Sequence, residues 1–120
     1  MEKGISERTC VVADDHPSVL RTLTELLRKW GWTIVASTND GEDAQRKIEE
    51  FKPAVALLDI GLPGQPGLEV ARRVARTAPE TAIIIYSGSN DPATVREALD
   101  AGVRAFVVKE APLEGLNRAL

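Results

Sequence analysis

Two textures alternate along this chain. Five short apolar runs lie at residues 10–13, 33–36, 54–58, 82–86 and 105–108. Runs this short, without strict alternation of polar and apolar positions, predict strands buried on both faces. The segments between them repeat with helical period. After Pro17 the apolar positions Val19, Leu20, Leu23, Leu26, Leu27 and Trp30 step by three and four, which predicts an amphipathic helix that stops at Gly31. A second helix is expected over 42–51, with Ala44, Ile48 and Phe51 inward. A third is expected over 68–77, burying Leu68, Ala71, Val74 and Ala75. A fourth, over 92–101, would bury Val95, Ala98 and Leu99 and stop at Gly102. A fifth would begin near Pro112 with Leu113, Leu116 and Leu120 inward. Proline suits a first helical turn, where its missing N–H has no partner to lose.

Five strand–helix units therefore fill the chain. The expected strand-end residues are Asp14, Ser37, Asp59, Ser87 and Lys109, recurring every 22 to 28 residues. Such tight alternation implies an α/β fold, a parallel sheet covered by helices on both faces through right-handed crossovers. A closed barrel would need more units and far more chain. At 120 residues one domain is expected, able to bury roughly two-thirds of the surface its unfolded form exposes.

In a parallel sheet the C-terminal strand ends share one edge, where ligands bind. Asp14, Asp15, Asp59, Ser87 and Lys109 would share that rim. Three carboxylates repel one another and favour a cation. Oxygen donors without imidazole or thiolate suit Mg²⁺ or Mn²⁺. An opposing lysine suits a phosphoryl oxygen, and a serine adds a neutral hydrogen bond. Together they form what phosphoryl transfer onto a carboxylate needs.

Composition narrows the classes. Fifteen basic against 18 acidic residues give a net charge of −3, which argues against this chain gripping nucleic acid alone. One cysteine and one histidine exclude a disulfide framework and a Cys- or His-rich metal site. Cys10 reads as a small core residue, Trp30 and Trp32 as packing at a turn, and His16 as a solvated loop residue. Asp14 and Asp15 taken alone could be helix caps. The glycines between Gly61 and Gly67 read as a tight turn; the Gly-Lys-Ser/Thr ending of a phosphate-binding P-loop is missing. The polar opening is no signal peptide, and no apolar run approaches the roughly 20 residues that span a bilayer. A cytoplasmic location without membrane contact is the expectation.

The rim residues lie in recognisable stretches: VVADDHP at 11–17, LLDIGLP at 57–63 running on to GLE at 67–69, IYSG at 85–88 and FVVK at 106–109. From about residue 8 to residue 120 the chain resembles the receiver domain of bacterial two-component response regulators. The Asp-Asp-His-Pro opening is similar to the subfamily with LuxR-type helix-turn-helix output. The resemblance implies a flavodoxin-like (βα)5 fold with strand order 2-1-3-4-5. It implies Asp59 as phosphoacceptor, Asp15 as a direct Mg²⁺ ligand, Asp14 acting through a metal-bound water, and Gly61 offering its carbonyl. Ser87 and Lys109 would hold phosphoryl oxygens, and Phe106 would be the switch aromatic beside Ser87. A sensor histidine kinase would be the donor, with a homodimer and a DNA-binding output domain, here missing or separate, as further partners. Pro66 departs from the family, which often has an acid before Gly67.

Two other classes share parts of this pattern. A phosphatase with an aspartate nucleophile carries a second Asp two residues later, where this chain has Gly61. A phosphorylation-independent interaction module of the same fold generally loses the acid pair, the acceptor or the lysine, all of which are present here.

Overall fold

The computed structural model describes residues 8–109 and 113–120. The polar opening and Pro112, the expected start of the fifth helix, lie outside the described residues. Strands β1 (Thr9–Ala13), β2 (Thr33–Thr38), β3 (Val55–Asp59), β4 (Ala82–Ser87) and β5 (Ala105–Val108) alternate with helices α1 (Pro17–Lys29), α2 (Gly41–Phe51), α3 (Gly67–Thr77), α4 (Pro92–Asp100) and α5 (Leu113–Ala119). All the strand pairings are parallel, in the order β2-β1-β3-β4-β5. This is the flavodoxin-like order implied by the resemblance, with its switch point between β1 and β3.

Because successive strand residues face opposite ways, the sheet feeds two cores. Val11, Ala13, Ala56, Leu58, Ile83 and Ile85 pack against Ala44 and Ile48 of α2, Val70, Ala71 and Val74 of α3, and Ala98 of α4. Cys10, Val12, Val55, Leu57, Ile84, Tyr86 and Val107 pack against Leu23 and Leu27 of α1 and Leu116 of α5. Burial pushes the Cys10 thiol up to about 12, so it stays a neutral core group. Trp32 is buried in the same core, with the Arg8 guanidinium 4.9 Å from its ring. The helix stops are those the glycines announce: Gly31 and Gly102 both take φ +93°, a backbone region that costs a β-carbon-bearing residue.

Four expectations are corrected. Strand β2 runs to Thr38, so Ser37 is not its last residue; a bulge opposite Cys10 and Val11 inserts Val35 and carries Thr38 level with Ala13. Phe51 is 45% exposed, because α2 ends there and the buried residue at that end is Pro53. Leu99 is 54% exposed, one helical step of 100° away from the buried Ala98. Ala75 is exposed, and the buried row on that side is Val70, Val74 and Ala78, the last just beyond α3.

The loop between β3 and α3 approaches other backbone closely. A β-carbon at Gly67 would stand 2.5 Å from the Asp59 carbonyl oxygen. Gly88 is exposed, and a β-carbon there would meet nothing within 4 Å. Gly67→Ala is therefore expected to cost about 1–3 kcal/mol, and Gly88→Ala less than about 0.5 kcal/mol. Urea denaturation midpoints check this; equal midpoints for the two variants would show that the loop yields freely.

Candidate functional site

The site lies at the C-terminal edge of the central strands. Strand β1 delivers Asp14 and Asp15, β3 ends in Asp59, β4 in Ser87, and Lys109 directly follows β5. Asp14 is 1% exposed and Asp59 5%. Burial comes from position: Asp14 directly follows β1 and Asp59 ends β3, two central strands flanked by neighbours on each side. Asp15 is exposed at the opening of α1.

The Lys109 ammonium joins the buried pair. Its Nζ lies 3.1 Å from Asp14 Oδ2 and 3.4 Å from Asp59 Oδ1, and 5.6 Å from the centre of the Tyr86 ring. The Lys109 N–H donates to the Ser87 carbonyl at 2.6 Å, which ties the end of β5 to β4. Burial, then the Asp14 charge, pushes the Asp59 carboxyl above its ordinary value, although Lys109 and the Gly61 N–H oppose the shift. Burial works against the charge on Lys109, but its contacts with Asp14 and Asp59 outweigh that and raise its pKa. Among the described residues, three carboxylates thus face one permanent cation.

The donor set fits a small divalent cation. One ligand atom from each of Asp14, Asp15, His16 and Asp59 lies within 4.8 Å of all the others. Ligands on opposite sides of a Mg²⁺ ion are about 4.2 Å apart. Asp14 Oδ2 is buried and, despite the nearby ammonium, accepts no well-directed hydrogen bond among the described residues. That ammonium is shared with Asp59, so the buried carboxylates retain an excess of negative charge that a second cation would offset.

His16 proves closer to the chemistry than its sequence context indicates. Its side chain is 65% exposed, as expected of a solvated loop residue, yet Nδ1 sits 3.2 Å from both the Asp14 and the Asp15 carboxylates. Its backbone N–H donates to Asp14 Oδ1 at 2.9 Å. His16 occupies the cap position of α1 without a side-chain capping bond, so neither Asp14 nor Asp15 is the helix cap. The adjacency of Asp14, Asp15 and His16 is the signal the sequence offers.

The remaining expected residues are placed as follows. Gly61 is exposed, and its N–H donates to Asp59 Oδ1 at 3.4 Å. Ser87 is buried, and its hydroxyl oxygen accepts the Ser89 N–H at 3.1 Å. Phe106 is half-buried against the core that α2, α3 and α4 cover. The three carboxylates, Gly61 and Lys109 are brought together; the Ser87 hydroxyl engages its own loop.

Residues 10–120 match the family model described as the response regulator receiver domain, and the chain belongs to that family of two-component signalling domains. Among curated relatives, it is 34% identical over 113 residues to the oxygen regulatory protein NreC of Staphylococcus aureus, covering 92% of this chain and 52% of that protein. The chain therefore spans about half the length of the curated relatives it matches. A DNA-binding response regulator of the LuxR family, also from Staphylococcus aureus, superposes with a TM-score of 0.88 at 31% identity, covering 93% of this chain and 94% of that one. A two-component response regulator of the LuxR family from Aurantimonas superposes with a TM-score of 0.86 at 28% identity, covering 92% and 79% of the two chains. These likenesses bear out the resemblance to the LuxR-type subset.

The raised Asp59 pKa has a sign that thermal denaturation can read. The folded state binds this proton more tightly than the unfolded state, so the contribution favours folding below the ordinary Asp value. It is lost as pH rises through the folded pKa. Asp59→Asn removes the ionised group but keeps an acceptor for Lys109. In metal-free buffer at neutral pH the variant is expected to melt about 3–6 °C above the wild type, on the order of 1 kcal/mol. The gap should close as pH falls below the ordinary Asp value. A variant that melts lower at neutral pH would contradict this electrostatic reading.

Proposed function

We propose that this chain is a phosphorylation-dependent switch that receives a phosphoryl group on Asp59 from a sensor histidine kinase. The carrying observation is the single ammonium of Lys109 shared between Asp59 and Asp14, beside an exposed Gly61 that leaves the acceptor open to a donor. An Asp59 carboxylate oxygen attacks phosphorus in line; the P–N bond to the kinase imidazole breaks, and an acyl phosphate forms. Lys109 turns from the carboxylates to a phosphoryl oxygen, and the Ser87 hydroxyl leaves its loop contact to donate to another. Asp14, Asp15, Asp59 and the Gly61 carbonyl would hold Mg²⁺ (or Mn²⁺), which would screen the repulsion between nucleophile and phosphoryl group. Water reaching the same open edge hydrolyses the acyl phosphate and resets the switch.

The output follows from how Lys109 and Ser87 are connected. Lys109 is tied through its N–H to the Ser87 carbonyl, and Phe106 lies three residues earlier on β5. Moving the Ser87 loop frees room for Phe106 to turn inward. The surface of α4, β5 and α5 changes with it, including the exposed Leu99. A dianionic group added at such a site is enough charge to shift a balanced equilibrium. The chain works in the cytoplasm as the receiver of a longer regulator, paired as a homodimer, with an output domain that binds DNA. No helix among the described residues is long and apolar enough to cross a membrane.

Incubation with Mg²⁺ and acetyl phosphate, followed by intact-mass analysis, tests the acceptor. One phosphoryl group should be gained, and neither metal-free protein nor Asp59→Asn should gain it. Equal labelling of Asp59→Asn would move the acceptor elsewhere. No labelling of the wild type, together with no beryllofluoride binding, would favour a phosphorylation-independent interaction module.

A further inference from the structure

A chain of polar side chains outside the rim ties α2 and α3 to the loop that carries Gly61. Gln65, in that loop and 7% exposed, donates from Nε2 to Gln45 Oε1 of α2 at 2.8 Å. Gln45 Nε2 donates to Glu49 Oε2 at 2.9 Å. The same oxygen accepts the Thr77 hydroxyl of α3 at 2.8 Å. The direction of this relay follows from chemistry. A carboxylate only accepts, so Gln45 must present its nitrogen to Glu49 and its oxygen to Gln65. The Gln45 and Thr77 hydrogen bonds hold the Glu49 carboxyl below its ordinary value, which keeps it an acceptor.

The backbone repeats the attachment. The Gly41 N–H, at the start of α2, donates to the Pro63 carbonyl at 2.9 Å, and the Gln65 N–H donates to the same carbonyl at 2.8 Å. A β-carbon at Gly41 would overlap the Gln65 carbonyl. Gly64 takes φ +77°, and a β-carbon there would overlap the Asp40 carboxylate that caps α2. The loop is therefore seated on the first turns of α2 within a few residues of Gly61, while Gly61 itself faces open space.

The geometry points to Gln65 and Gln45 as positioning residues for the cation site, holding the Gly61 loop in place before the cation arrives. This rests on the reading of Asp14, Asp15, Asp59 and the Gly61 carbonyl as that site. A loop seated in advance loses less conformational freedom on binding than one ordered by the metal.

Calorimetric Mg²⁺ titration of the chain, with amide hydrogen exchange of the metal-free protein, tests the assignment. Gln65→Ala and Gln45→Ala should each weaken Mg²⁺ binding about 3- to 10-fold, the range that one lost hydrogen bond supplies. Both should speed exchange at the Gly41 and Gln65 amides without changing that of β3. Should Gln65→Ala fail to fold, the half-buried Gln45 supplies the same reading. The double exchange Gln45→Glu with Glu49→Gln keeps every contact of the relay with two directions reversed: the amide nitrogen now at position 49 donates to the carboxylate at 45 and to the Thr77 hydroxyl oxygen. The carboxylate then sits in the middle of the chain and accepts from the amides on both sides, and wild-type affinity should return. Unchanged affinity in the Ala variants of a Mg²⁺-binding wild type overturns the positioning role alone. Weakened affinity that the double exchange leaves unrepaired also overturns it, by assigning the loss to general loosening. A wild type that binds no Mg²⁺ removes the cation-site reading, and this inference with it.

Discussion

One ammonium between two buried carboxylates governs the chemistry of this protein. Asp14 and Asp59 are almost fully withdrawn from solvent at the ends of adjacent strands, and Lys109 reaches both from a third. Like charges this close, in surroundings this dry, are tolerated only with compensation. One lysine leaves the rim short of positive charge, and Asp15 deepens the deficit. That deficit is what the proposed cation would offset. Shared between two acids, the lysine is committed to neither, which is what the proposed phosphoryl role requires of it.

The fold makes this arrangement possible by keeping the charged ends apart from the packing. The central strands β1, β3 and β4 bury aliphatic side chains on two faces and place Asp14, Asp59 and Ser87 at or just past their C-terminal ends. The edges of the rim are tied by backbone: the Lys109 N–H to the Ser87 carbonyl, and the Asp14 N–H to the Thr38 carbonyl at 3.1 Å. The loop after Asp59 is seated on α2 by glycines that admit backbone contact and by the Gln65–Gln45 bond. Stability and chemistry thus use different parts of the same elements.

Much of this is legible in the sequence, for a physical reason. An apolar run that halts at Asp14, Asp59, Ser87 or Lys109 marks a strand end, and parallel topology sends all such ends to one edge. Strand order comes from the family resemblance, because periodicity carries no information about which strands are neighbours. Phe51 and Leu99 depart from expectation because short helices leave the buried arc uncertain by one residue, and a helix end can outrun the core. The exposure of His16 follows from its sequence context. For its contact with two carboxylates the sequence offers only adjacency to Asp14 and Asp15; the contact itself depends on the backbone turning back at Asp14. The Gln65–Gln45 bond leaves no mark, because two polar residues 20 positions apart have no periodic signature.

The charge deficit at the rim is most directly tested on the Asp59 carboxyl carbon, followed by ¹³C nuclear magnetic resonance across pH with and without Mg²⁺. Without metal, the titration should lie above the ordinary Asp value because of burial and the Asp14 charge. Saturating Mg²⁺ should move it below the metal-free midpoint. An ordinary or lowered midpoint in metal-free protein, unchanged by Mg²⁺, would contradict the account.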